Sequence, residues 1–208
     1  MKDSDRRTAL GTMMAVCVAG SAGTAQAASP SHKALVGQVD QLMSRWAIEE
    51  VLLNYARGND RNDLDMIRSC FWPESTHKHG RFEGLSQDFV SFAAKILGAL
   101  KLTAHHISNI SVQTEGNRAF SECYYHAYHI RTNKNGDEEE AHFYGRYLDL
   151  FEKRDGIWKI IRRRGLSDLT PAPLPAATPF GQWPTGQHSL HDGNDDYYAM
   201  LKEFHAGK

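Results

Sequence analysis

The chain has 208 residues, 41% of them hydrophobic, and a formal charge of −1 from 24 Lys and Arg against 25 Asp and Glu. That length suits one globular domain with additional segments. The near-zero charge gives no field to draw a nucleic acid or an acidic membrane, Arg162-Arg163-Arg164 is too short a run to change that, and no glycine-rich phosphate loop is present.

Residues 1–27 read as an export signal. Arg6 and Arg7 precede a modestly apolar stretch over 11–22, and Ala25-Gln26-Ala27 supplies a small-x-small cleavage site. The paired arginines and an apolar core broken by Gly20 and Ser21 resemble a twin-arginine signal; the other reading is the positive start of an ordinary signal. The core is too short to span a bilayer. The expected product is a periplasmic or secreted protein beginning near Ala28. Cys17 leaves with the signal. Cys70 and Cys123 remain, and although an exported pair could form a disulfide, their expected places on a helix and a strand suit separate buried thiols. No zinc-ligand spacing occurs.

Residues 28–38 read as a linker. Helical spacing of Ile48, Val51, Leu52 and Tyr55 predicts a first helix over 38–57, stopped by Gly58. Asn62 or Asp63 can cap a second helix that carries Leu64, Ile67 and Phe71 and ends at Pro73. Ser86 can cap a third, with Phe89, Ala93, Ile96 and Leu100 inward. The period then changes to that of strands: 105–112, a turn at Gly116-Asn117, 119–130, a hairpin at Asn133-Lys134-Asn135-Gly136, 141–151, a turn at Arg154-Asp155-Gly156, and 158–166. Five of the seven prolines follow Leu169, so residues 170–186 should be irregular before a short helix over 195–205. That tail could cap a cavity mouth or reach a neighbouring subunit. Helices followed by successive antiparallel strands define an α+β fold, in which a curved sheet wraps the first helices around a cone-shaped cavity.

Strand alternation sorts the polar candidates. Glu122, Tyr124, His126 and Tyr128 share one face and Cys123, Tyr125, Ala127 and His129 the other; Trp158, Ile160, Arg162 and Arg164 alternate with Lys159, Ile161 and Arg163. Polar groups on both faces suit either a hydrogen-bonding cavity or a sheet surface between subunits. Tyr124, His126 and Tyr128 are taken as substrate-binding candidates, and Arg162, in phase with Trp158, as the cavity-facing arginine.

The helix ending in Tyr55-Ala56-Arg57-Gly58-Asn59-Asp60, the later His105-His106-Ile107-Ser108-Asn109 and the hairpin around Arg154-Asp155-Gly156 together resemble the SnoaL-like families of the nuclear transport factor 2-like superfamily. The resemblance covers residues 39–169, about 130 residues, a usual size for one domain. It includes lyases of the scytalone dehydratase, hexachlorocyclohexane dehydrochlorinase and bile-acid 7α-dehydratase kinds. It implies that His105 is a catalytic base and Asp60 its orienting carboxylate, that Tyr55 contacts substrate, and that Arg162 binds a substrate oxygen or an oxyanion. His79 stands where such lyases often carry a tyrosine, so an imidazole would make that contact here. His106 alternates away and is read as structural.

The resulting expectation is a cofactor-independent lyase, first of all a dehydratase, acting on a small hydroxylated aromatic, polyketide-like or steroid-like compound. Retro-aldol cleavage or isomerisation would use the same base. A non-catalytic binding module is the alternative from another class, and a small subunit of a ring-hydroxylating oxygenase a third, disfavoured by the export signal. The expected partner is a small-molecule substrate, with no cofactor, metal, nucleic acid or membrane, and the assembly a homodimer or homotrimer.

Overall fold

The computed structural model describes residues 31–184, 186 and 188–207, so the expected export signal, with its expected cleavage site, lies outside the described residues. Helix α1 (His32–Arg61) begins where the Ser31 hydroxyl accepts the Ala34 amide. It ends at Asn62, which adopts the left-handed conformation with φ 51°. Residues 32–37, expected to be linker, are therefore helical, and the helix runs through Gly58. Gly58 is a packing position and not a stop: a Cβ there would come 2.7 Å from Ile67 Cγ1, too close for the short helix α2 (Leu64–Ser69) to lie against α1. Ser44, Ile48, Leu52, Tyr55 and Asn59 recur at helical spacing and are buried. Residues 31–43 are all exposed, and Leu35, Val39, Leu42 and Trp46 form an apolar stripe on the side of α1 away from the core.

The second helix is shorter than the sequence suggests. After α2 the chain turns at Cys70 into strand β1 (Phe71–His79), then β2 (Phe82–Leu85) and helix α3 (Ser86–Leu97). Pro73, read from the sequence as a helix terminator, lies where the β1 ladder is interrupted between Phe71 and Thr76. Its missing amide costs no hydrogen bond there. On α3, Phe89 and Val90 are buried, but Ile96 is exposed and Leu100 lies beyond the helix. Strands β3 (Leu102–Glu115), β4 (Arg118–Thr132), β5 (Glu138–Arg154) and β6 (Ile157–Leu169) follow, each longer than predicted. One mixed sheet results, in the order β2-β1-β6-β5-β4-β3, with the two-residue β7 (Leu174–Pro175) on β5. Among the described residues, only β1 and β6 pair in parallel. The fold is α+β: a curved, unclosed sheet around the N-terminal helices.

The register explains which side chains enter the cone. In β4, Ala119, Ser121, Cys123, Tyr125 and Ala127 are buried, so Tyr124, His126 and Tyr128 occupy the outer face. In β6 the phase changes within the strand. Phe151 pairs with Ile160 whereas Leu150 pairs with Arg162, which leaves Ile161 as an extra residue, a β-bulge. Trp158 and Ile160 point inward before it; after it Arg163 is inward, 1% exposed, and Arg162 is outside. Strict alternation from Trp158 cannot see that inserted residue.

Ser121, Asp149, Arg163 and His77 pair consecutively across β4, β5, β6 and β1 and form a buried polar row. Arg163 Nε and Nη2 each donate to Asp149 at 2.7 Å. Its guanidinium lies between the rings of Tyr55 and Tyr147, 4.1 and 4.3 Å from their centroids. A bidentate partner and two aromatic faces compensate its desolvation. Cys70 and Cys123 are both buried free thiols, pushed up to about 12 by burial.

After β6 and β7 the chain passes through a 3₁₀ turn (Phe180–Gln182) to helix α4 (Asp196–His205), whose cap is Asp195. Among the described residues, no helix is long and apolar enough to cross a membrane.

Candidate active site

Helix α1 and strand β3 bring Asp60 and His105 together. Asp60 Oδ1 lies 2.7 Å from His105 Nδ1, and Oδ2 accepts the His105 backbone amide at 3.1 Å. One carboxylate thus holds both the main chain and the ring of the same residue. A carboxylate facing Nδ1 selects the tautomer with hydrogen there, which leaves the Nε2 lone pair free. Thr103 Oγ1 stands 3.4 Å from the same Nδ1.

His105 lines a cavity of about 320 Å³ between α1, α3 and the inner face of the sheet. Phe89, Phe92, Ile96, Leu97 and Phe143 make most of its wall apolar, and the exposed Arg81 is also part of the lining. Polar groups converge from five strands and α1: His105, His129, His79, Tyr125, Tyr147 and Ser167 from the sheet, and Tyr55 and Asn59 from the helix. The Asn59 amide donates to the Tyr55 carbonyl at 2.7 Å, which fixes its orientation.

The two further histidines are held neutral. Burial, with Arg163 and His105 nearby, lowers His79 to about 4. Burial, with His105 as the next cause, lowers His129 to about 3. The His129 ring stands edge-on to that of His105, centroids 5.7 Å apart. His79 Nε2 is 3.5 Å from the Tyr125 hydroxyl, which donates to the Leu166 carbonyl at 3.2 Å. His79 has its place because residue 165 is glycine: a Cβ there would meet the His79 ring at 2.6–2.8 Å. Burial also raises the phenols of Tyr55, Tyr125 and Tyr147, so all three keep their protons as hydrogen-bond donors.

Of the residues singled out in the sequence, Asp60, His105, Tyr55 and His79 meet at this site. Tyr124, His126, Tyr128 and Arg162 do not. His126 stacks on Tyr144 at 4.4 Å outside the cone, with its Nε2 2.9 Å from His142 Nδ1. Tyr128 lies against His142, and Arg146 over Tyr124. Arg162 lines a separate outer groove with Glu74, Thr76 and Phe120. His106 is also outside, stacked near His126. The cavity members missed are His129, Tyr125, Tyr147, Asn59 and Ser167. The signal for the first two was the small-residue spacing Ala119, Cys123, Ala127, which marks the crowded inner phase of β4. Among the described residues no group of three or more His, Cys, Asp or Glu is arranged to hold a metal ion.

A cone of sheet around N-terminal helices, with a polar cluster at one wall of an apolar cavity, defines a class of small-molecule-binding domain. The chain belongs to the SnoaL-like domain family, whose pattern matches residues 40–164, within the nuclear transport factor 2-like superfamily. Uncharacterized proteins of Mycobacterium bovis and Mycobacterium tuberculosis are each 26% identical over 131 residues, covering 60% of this chain and 86% of the relative. Similar solved structures include a provisionally assigned scytalone dehydratase of Novosphingobium aromaticivorans, with TM-score 0.56 and 24% identity over 66% of this chain and 96% of that one. A type 2 hexachlorocyclohexane dehydrochlorinase gives TM-score 0.60 and 19% identity over 68% and 98%. The type 3 enzyme of Novosphingobium barchaimii gives 0.58 and 17% over 68% and 96%. At these identities the likeness is one of fold.

Proposed function

We propose that the protein is a cofactor-independent lyase in which His105 is the general base of a dehydratase-type elimination. The observation that carries this reading is the Asp60–His105 pair, set so that a free Nε2 lone pair belongs to a residue lining a largely apolar cavity. His105 Nε2 takes a proton from a carbon adjacent to the carbon bearing a hydroxyl. The released electron pair forms the new C=C bond as the C–O bond breaks, and the departing hydroxide takes a proton from a neutral donor in the cavity, leaving as water. The Tyr125 hydroxyl, which keeps its proton in this cavity, is the donor on hand. Solvent exchange then returns the proton held by His105 to the donor. Asp60 supports the transient imidazolium and keeps its tautomer.

The substrate class follows from the lining. Phe89, Phe92 and Phe143 suit an aromatic or polyketide-like ring, and a volume of about 320 Å³ compares with roughly 150 Å³ for a cavity that holds benzene. Two fused rings fit that space better than the four rings of a steroid. The structural likeness to a dehydratase and to dehydrochlorinases supports elimination over retro-aldol cleavage or isomerisation. We further propose that the chain is exported and acts in the periplasm or outside the cell, on the strength of Arg6-Arg7 and Ala25-Gln26-Ala27. The test is to incubate purified protein with hydroxylated one- and two-ring compounds and watch for new conjugation by absorbance. Turnover that is lost in a folded His105→Ala protein supports the reading. Ligand binding without turnover of any compound would favour a binding module instead.

A further inference from the structure

We infer that His191, in the C-terminal tail, is a positioning residue whose doubly protonated ring ties the main chain of Asp60 to the end of α3 and so holds the Asp60–His105 pair in register. This rests on the dyad reading above. His191 Nδ1 lies 2.7 Å from the Asp60 carbonyl oxygen and Nε2 lies 2.9 Å from the Leu97 carbonyl oxygen. Carbonyl oxygens only accept, so both bonds require a hydrogen on both ring nitrogens, and only the imidazolium has two. A neutral ring would turn one lone pair toward a carbonyl oxygen.

Both carbonyls belong to the last turns of helices, Asp60 to α1 and Leu97 to α3. Last-turn carbonyls lack intrahelical partners; that of Leu97 also accepts the Leu100 amide at 3.0 Å just past the helix, and the negative end of the helix dipole favours a cation. His191 sits at two such ends at once. The titratable groups that the structure places beside it are Asp60 of α1, His129 of β4, and Asp192 and Asp195 of the tail. Of these, His129 is lowered to about 3, chiefly by burial, with His191 among the further causes.

The tail does not depend on His191 alone. Arg61 pairs with Asp195 at 3.2 Å and lies over Tyr197 at 4.4 Å, and Asp195 also accepts the Leu190 amide at 3.0 Å. The Tyr198 hydroxyl donates to Asp63 at 2.7 Å. These contacts dock residues 190–198 against the α1–α2 junction, so a change at His191 should leave the tail in place while freeing the Asp60 main chain. The Asp60 carboxylate, held by its own backbone on one side and His105 on the other, then loses its fixed position.

The test is nuclear magnetic resonance of the purified protein with ¹⁵N-labelled histidine, which needs no substrate. In the wild type, both His191 nitrogens should carry hydrogen under conditions where the His105 Nδ1–H signal is sharp. In His191→Phe, which keeps a ring but deletes both N–H groups, that His105 signal should broaden and exchange with solvent about tenfold faster while the circular dichroism is unchanged. If a substrate is in hand, kcat should fall on the order of tenfold with KM nearly constant, since displacing a catalytic group costs rate more than binding. His191→Gln, which keeps an NH₂ donor, should recover part of both effects. An unchanged His105 signal in folded His191→Phe overturns the inference. So does a wild-type His191 with one protonated nitrogen while the His105 signal is sharp, a result that stands even if the variant fails to fold. Failure to find any turnover would count against the lyase reading and leave this measurement intact.

Discussion

The Asp60 carboxylate grips His105 twice, at the ring nitrogen and at the backbone amide. A side chain that rotates about one bond can lose a ring contact, but it cannot easily lose two bonds 2.7 and 3.1 Å long that diverge from one carboxylate. His105→Ala should therefore lower turnover by about 10²–10⁴-fold, the usual worth of a positioned base, with the fold retained. Asp60→Asn should lose most of the rate as well, because an amide NH₂ facing Nδ1 favours the wrong tautomer. His106→Ala, altering a ring outside the cone, should stay active. Steady-state kinetics beside circular dichroism checks all three, and near-normal turnover in folded His105→Ala would refute the mechanism.

The dyad was expected from the resemblance to the SnoaL-like families; patterning alone marked only where its members stand, Asp60 at the end of a helix with Ile48, Leu52 and Tyr55 at helical spacing and His105 near the start of a strand. The other strand-borne members were less legible. Choosing Tyr124, His126 and Tyr128 over Tyr125, Ala127 and His129 favoured the chemically richer face, whereas the inner phase was marked by small residues that make room for Tyr125. Arg162 was misplaced by the bulge at Ile161, a tertiary feature with no signature in alternation. Strand β1 was hidden because Pro73 resembles a helix stop and its ladder partner, β6, is far away in sequence.

Arg163 is a structural residue beneath the cavity, and its neighbour Arg162 is outside. Arg163→Ala would strand the Asp149 carboxylate, 0% exposed, without a partner. Breaking a buried pair in this way typically costs about 3–5 kcal/mol, so the protein should unfold at much lower denaturant. Arg162→Ala should change stability by less than about 0.5 kcal/mol and leave turnover intact. Denaturant titration of both proteins decides it; the reverse ranking would place the bulge elsewhere.

The Gly165 position controls His79. With a Cβ at 2.6 Å from the ring, Gly165→Ala must push His79 from its place beside the Tyr125 hydroxyl. Overpacking of this kind costs about 1–3 kcal/mol. A loss of turnover together with a shift of the His79 resonances is expected, and unchanged His79 resonances would show that the ring has room the geometry does not reveal.

Export can be checked without knowing the substrate. If Arg6 and Arg7 are read by the twin-arginine route, replacing both with lysine should leave unprocessed chain in the cytoplasm. Mature protein still reaching the periplasm or medium at the normal level would exclude that route, and sequencing its N-terminus would locate the cleavage site against the expected Ala27.

The buried histidines should make the protein acid-sensitive well above the range where carboxylates titrate. Burial lowers His77, His79 and His129 to about 2, 4 and 3, whereas in the unfolded chain each titrates near ~6.5. Between roughly pH 6.5 and 4 the unfolded state therefore binds more protons than the folded one, so stability rises with pH across that window and falls as acid is added. Each histidine contributes a slope of about 1.4 kcal/mol per pH unit while the difference lasts. His77 is the cleanest probe: its ring stacks on Phe89 at 3.6 Å, it is 1% exposed, and neither ring nitrogen has a hydrogen-bond partner among the described residues. His77→Leu removes two unpartnered polar atoms, so it should be neutral or stabilising at pH 7. It should also flatten the acid slope by about one proton. Unfolding free energies at pH 7, 6 and 5 for the two proteins test this, and equal slopes would mean that His77 is protonated in the folded chain.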